Sequence, residues 1–128
     1  MEHEELTGRI IGVCYEVANE LGHGFLESVY QKALAMALEQ EGLRVAQQVP
    51  LKVSFRGEIV GEFLADIVVE DTVILELKAV SALASEHSAQ LINHLKASGQ
   101  DVGLLVNFGR PSIEVKRCWR PKVAMPEQ

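Results

Sequence analysis

Cysteine is scarce in this sequence: Cys14 and Cys118 are too few and too far apart for a disulfide framework or a paired-cysteine zinc site. Both are expected to be small buried hydrophobes. No apolar segment approaches the roughly 18 residues that cross a bilayer. The acidic start, Met1 to Leu6, lacks the basic residues and apolar stretch of a secretory signal. A cytoplasmic protein is expected. Internal repeats, linkers and low-complexity segments are missing, and no recognition helix or RNA-stacking motif stands out. Positive charge is also short overall, and a formal charge of −6 argues at first against a polyanionic partner.

The average conceals an asymmetry. Residues 1–88 carry 6 Lys/Arg against 15 Asp/Glu, a balance of −9, whereas residues 89–128 carry 6 against 3, a balance of +3. The late cations are Lys96, Arg110, Lys116, Arg117, Arg120 and Lys122. They suit a solvated basic edge or a backbone-contacting strand. Carboxylates that collect a divalent cation would lower the effective negative charge further.

What is present is enough apolar material for a core: 48% of 128 residues are hydrophobic. One domain is expected, with its core over about residues 5–120 and a frayed tail over 121–128. From Glu5 to Leu21, the residues Leu6, Ile10, Val13, Cys14, Val17 and Leu21 recur at helical spacing, and Gly22-His23-Gly24 stops the pattern. A second helical face, Val29, Tyr30, Ala33, Leu34, Ala37 and Leu38, runs on to Gly42. The texture then alternates with period two through Val45, Val49, Leu51, Val53 and Phe55, to a turn at Arg56-Gly57. A return strand is expected from about Ile59 to Val69, and another from Val73 to about Ala79.

Ser85 to Ser98 reads as a third helix, with Ser85 as N-cap, Gly99 past its end, and Leu91, Ile92 and Leu95 inward. The apolar run Val102 to Val106 fits a strand covered on both faces, and Ile113 to Trp119 alternates as a last, exposed strand. The expected class is α/β, a mixed sheet flanked by helices in the order ααββββαββ.

Asp66 is an acid in an apolar strand, FLADIVVED, and Glu76 and Lys78 sit on one face of another, VILELKAV. A three-residue turn at Glu70-Asp71-Thr72 would pair Val69 with Val73, and so bring Asp66 opposite Glu76. A two-residue turn would put them on opposite faces. Converging carboxylates repel in a poorly solvated site, and a hard divalent ion relieves that repulsion. Oxygen ligands at this density suit Mg²⁺ or Mn²⁺, whose remaining waters can become nucleophiles, with Lys78 placed to orient a water or stabilise charge on a phosphate. The same three residues would equally suit a salt-bridge cluster on an open sheet face.

Further residues bear on that choice. GFLESVY at 24–30 reads G-x-x-E-x-x-Y, and FLADIVVED, LELKAV, SAQLINHL and GLLVNFG follow in order. In these the chain resembles the GxxExxY family of the PD-(D/E)XK nuclease superfamily, from about Leu6 to Trp119. The resemblance implies a restriction-endonuclease-like core with Asp66 and Glu76 as metal ligands, Lys78 as catalytic lysine, Glu27 as a further acid and Gln90 as the accompanying helix glutamine. Glu27 also suits the first turn of a helix, where the dipole favours a carboxylate, and Tyr30 suits the core. Two positions depart from the pattern: Ala65 replaces proline, and His94 stands where a tyrosine is expected. No catalytic role is assigned to His94. His87, Gln90 and His94 share a helical face, but a zinc site there lacks a third nitrogen or thiolate.

The expected function is a Mg²⁺- or Mn²⁺-dependent nuclease acting on DNA or RNA, with the late cations Arg110, Lys116, Arg117 and Arg120 holding the backbone. The alternative is a catalytically silent nucleic-acid-binding or protein-interaction module on the same fold. A homodimer is expected if both strands of a duplex are cut.

Overall fold

The computed structural model describes residues 3–122. Helices α1 (Glu4–Leu21) and α2 (Glu27–Gln40) lead into strands β1 (Val45–Phe55), β2 (Glu58–Val69) and β3 (Val73–Lys78). Helix α3 (Ser85–Ser98) then crosses to β4 (Val102–Asn107), and β5 (Glu114–Trp119) follows. Most of the expected tail, residues 123–128, lies outside the described residues.

The sheet has the spatial order β1-β2-β3-β4-β5, antiparallel except for β3 and β4. Those two are parallel because α3 carries the chain back across the sheet between them. Both faces are covered. Ile10, Val13 and Val17 of α1 and Tyr30, Leu34 and Leu38 of α2 pack with Leu75, Leu77, Leu104 and Val106 on one face. Leu91 and Leu95 of α3 pack with Ile74, Leu105 and Cys118 on the other. Central β4 is therefore buried along its whole length, as its unbroken apolar run requires.

Three strands precede α3 rather than four. The alternation around Pro50 belongs to one long edge strand, β1, where a residue without an N–H is tolerated. The Arg56-Gly57 turn has positive φ at both residues, 49° and 81°, as the right-handed twist of a two-residue hairpin demands. Helix α3 begins at Ser85, so its cap lies one residue before the expected one. Its N-cap is Ala84, whose N–H donates to His87 Nδ1 at 3.0 Å. The helix ends as expected on Gly99 in the left-handed region, φ 75°. Cys14 and Cys118 are buried free thiols, and burial pushes Cys14 up to about 12.

The Glu70-Asp71-Thr72 turn sets the register on which the site depends. Glu70 and Asp71 have φ of 54° and 53°, and Thr72 N–H donates to the Val69 carbonyl at 2.9 Å. Val69 then pairs with Val73, Val68 with Ile74 and Ile67 with Leu75.

The loop after β3 is held by one fully buried side chain. Asn107 Oδ1 accepts from Val80 N–H and Gly109 N–H, both at 3.0 Å. Its Nδ2 donates to the Val80 carbonyl and to Glu114 Oε1, both at 2.9 Å. Gly109 lies so close beneath that a Cβ there would meet the Val80 backbone at 2.3 Å. Asn107→Leu leaves these buried groups unpaired, and we expect a loss of about 3 kcal/mol in urea unfolding. An unchanged midpoint would show that the loop finds other partners.

Candidate active site

Alternation along β2 breaks at Asp66. Ile67 and Val69 pack toward α1 and α2, whereas Ala65, two residues earlier, packs toward α3. Facing it, β1 breaks at Gln48, which has φ 50°, and the paired register passes from Gln47–Ile67 to Val49–Ala65 without a Gln48–Asp66 pair. Gln48 is tied instead to α2, its Nε2 donating to Gln31 Oε1 at 2.7 Å. The hairpin thus turns over at this level. Beyond it, Phe63 faces α3, and its ring stacks on His94 at a centroid distance of 3.6 Å.

At the same point β2 parts from β3. The Asp66 carboxylate takes the place of a strand partner, Oδ2 accepting from Leu77 N–H at 2.7 Å. Leu77 lies between Glu76 and Lys78, so this one bond fixes Asp66 against both. Asp66 and Glu76 come close enough to couple electrostatically, as the sequence led us to expect, although the paired register stops one step short at Ile67–Leu75.

Glu76 is buried, and its Oε1 is joined to Nδ1 of His94, itself buried. Burial first and the Asp66 carboxylate second push the Glu76 carboxyl up to about 7, while an Asp66 backbone N–H and the Lys78 ammonium pull it down. His94 is lowered by burial, with Asp66 opposing and Lys78 reinforcing. Lys78 itself forms no ion pair with Asp66 or Glu76 among the described residues. The salt-bridge cluster that the sequence left open is therefore not the arrangement found. His94 is the residue whose part in the site the sequence reading did not assign. Its one signal was an imidazole on the inward face of α3, beside Leu91 and Leu95.

The donor set suits a hard divalent cation. Two carboxylates meet in a poorly solvated place and disfavour each other's charge, Asp66 Oδ1 is left without a hydrogen-bond partner among the described residues, and the Glu76 carboxylate also accepts from the Asp66 backbone N–H. Among those residues, no group of three or more His, Cys, Asp and Glu side chains is gathered for a metal. Two protein carboxylates completed by water is a composition that Mg²⁺ accepts.

The remaining sequence candidates are dispersed. Glu27, the first residue of α2, lines a cavity of about 510 Å³ with Gly24, Ala79 and Gly109, at the end of β3. It shares no hydrogen bond or ion pair with Asp66, Glu76 or Lys78 among the described residues. Tyr30 is core: it stacks on Phe108 at 4.5 Å, and its hydroxyl donates to the Gly22 carbonyl at 2.5 Å. Gln90 is exposed on α3 and lines a groove with His94. His87 caps α3 and is not directed to a shared site with His94. Arg120 pairs with Asp101 at 2.9 Å, and Arg110 with Glu114 at 3.7 Å. Arg117 Nε donates to Thr7 of α1 at 3.2 Å. Exposed Lys116 pairs in register with Leu105, which in turn pairs with Glu76.

A family model described as PD-(D/E)XK nuclease superfamily matches residues 4–118. No curated protein matches the chain. Among solved structures, the one described as "Crystal structure of SSO0001" is similar, with a TM-score of 0.60 at 16% identity over 75% of this chain. The match spans 50% of that chain, a likeness of fold. No helix among the described residues is long and apolar enough to cross a membrane.

The folded Glu76 carboxyl keeps its proton to about pH 7, against 4.5 ordinarily, so the metal-free protein is favoured below this window. That contribution is lost as pH rises through it. Glu76→Gln, neutral throughout, should therefore gain stability relative to the wild type between pH 5 and pH 8, by up to about 3 kcal/mol. Chelator-treated samples unfolded in urea at both pH values test this, and parallel curves would reject it.

Proposed function

Because this chain belongs to the PD-(D/E)XK nuclease superfamily, we propose that it is a divalent-metal-dependent nuclease of the GxxExxY family, hydrolysing phosphodiester bonds of DNA or RNA. The observation that carries this reading is the Asp66–Leu77 hydrogen bond, which locks the two carboxylates and Lys78 at the level where β2 leaves β3. Asp66 and Glu76 would hold Mg²⁺ or Mn²⁺. A cation bound there would supply charge neutralisation and a water acidified for attack.

The chain's own groups do the rest. Asp66 Oδ1 and Glu76 Oε2 present hard oxygen donors from fixed backbone positions. Lys78, not paired with either carboxylate, keeps its ammonium available for the phosphate oxygens or for orienting the attacking water. His94 holds Glu76 through Nδ1, and Phe63 holds the imidazole plane. Glu27 stands at the other side of the β3 terminus as an accessory acid, and Gln90 borders the site from α3. A single nuclease-like domain is sufficient for one such site, and a homodimer would supply a second for a duplex.

A silent module on the same fold remains the second reading, favoured by the occupation of Glu76 by His94. Calorimetric titration of Mn²⁺ into wild type and Asp66→Ala separates metal binding from its loss. Incubation with single- and double-stranded DNA and RNA then reads cleavage. The nuclease reading expects binding lost in Asp66→Ala, and metal-dependent cutting that falls by roughly a hundredfold or more in Lys78→Ala. Metal binding without cutting of any of these substrates selects the module. No metal binding by the wild type ends the metal-centre reading.

A further inference from the structure

Beyond the break at Gln48 and Asp66, the hairpin and α3 form the walls of an open groove of about 640 Å³. Lys52 and Ser54 line it from β1, Phe63 from β2, and Gln90, Asn93 and Lys96 from α3. His94 lines the same groove and bonds Glu76, so its inner end abuts the proposed catalytic carboxylates. The volume is that of a small-ligand pocket, roughly 300–1,000 Å³, and leaves no room to enclose a duplex.

Its chemistry is that of a strand-binding surface. Neither Lys52 nor Lys96 is ion-paired among the described residues. Lys52 stands opposite Glu62 in register, but no ion pair closes between them. Between the two lysines lie an aromatic ring and two side-chain amides, which suit base stacking and polar contacts to base edges. At the tip of the same hairpin, Phe55 is 57% exposed, with the Arg56 guanidinium 4.8 Å above its ring. An exposed aromatic partnered by a cation continues the pattern outward. Arg120, Arg110 and Arg117, beside and within β5, are by contrast engaged with Asp101, Glu114 and Thr7.

From this placement we infer that the groove between the β1–β2 hairpin and α3 takes one unpaired strand of nucleic acid, with Lys96 on its phosphates and Phe63, Gln90 and Asn93 on its bases. The inference rests on the nuclease reading for its ligand class. It specifies that reading further: the substrate enters as a single strand, along the hairpin rather than along β5.

The test is fluorescence anisotropy of short labelled oligonucleotides, single-stranded and duplex, DNA and RNA, in chelator so that neither metal nor cleavage enters. The wild type is expected to bind single strands more tightly than duplex of either kind. Lys96→Glu should weaken single-strand binding by roughly tenfold and lower the salt slope by about 0.7, the share of one phosphate contact. Asn93→Ala should weaken binding at an unchanged slope, which a mere loss of charge would not do. Lys116→Glu should cost less than Lys96→Glu, and Lys32→Glu, exposed on α2, should leave single-strand binding within about twofold. Circular dichroism melts confirm that each variant is folded, and both substituted α3 side chains are exposed.

Equal or tighter duplex binding, indifference to Lys96→Glu, or a larger loss from Lys116→Glu would each overturn the groove. So would failure of the wild type to bind any of these nucleic acids. Because metal is excluded, groove binding that survives without Mn²⁺ affinity at Asp66 would refute the metal centre alone, and the reverse outcome the groove alone.

Discussion

The N–H of Leu77 points toward β2 and finds there a carboxylate instead of a strand carbonyl. This substitution of side chain for backbone ends the β2–β3 ladder without leaving a buried donor unpaired. Leu77 is 1% exposed, so the donor cannot turn to water, and removing the Asp66 acceptor would orphan it. The same bond leaves one Asp66 oxygen directed elsewhere, beside Glu76 and Lys78. Once β2 has left β3, β1 must follow it. Gln48 in the left-handed region allows the pair to turn over together. Phe63 then reaches α3, His94 is held against Glu76, and the groove opens beneath the hairpin. Site and groove are consequences of a single interruption in the sheet.

The electrostatics explain why such an interruption is useful. On a regular, covered sheet face, Asp66 and Glu76 would both be desolvated, and each would resist ionising. Parting the strands leaves Asp66 half-buried while Glu76 remains buried. The two acids thus occupy different environments, the condition under which paired titratable groups take different roles. His94, whose burial disfavours its charged form, orients the Glu76 carboxyl through Nδ1.

Much of this was legible from local chemistry. The Glu70-Asp71-Thr72 turn fixed the register because three polar residues separate two apolar strands, and Val69–Val73 pairing followed. The unbroken run in β4, the Gly99 cap and the burial of both cysteines were likewise readable. The turnover at Gln48 was not, because a residue that changes face in both strands at once leaves the period-two pattern of each almost undisturbed. The strand count before α3 was not legible either, since whether one strand can run through Pro50 depends on whether that strand lies at an edge. The late cations were visible as a cluster, but their partners Asp101 and Thr7 come from other elements and only tertiary structure brings them together. His94 stood in plain view, yet its role depends on Phe63 and Glu76, which strand register alone brings to α3.

Charge placement ties these levels together. Most acids of the chain precede α3, whereas half of its Lys and Arg residues follow the start of it. A surface that is net acidic repels a polyanion at long range, so any strand must be captured by local groups. Lys78 at the end of β3 and Lys96 in the last turn of α3 are both free of ion pairs among the described residues. The arginines of the β5 edge are held by intramolecular partners, and stabilise the packing of α1 and the β4–β5 end instead. A divalent cation between Asp66 and Glu76 would convert the most repulsive point in the path into an attractive one. Metal occupancy and strand binding should therefore reinforce each other, as two ligands do when each removes the charge that opposes the other.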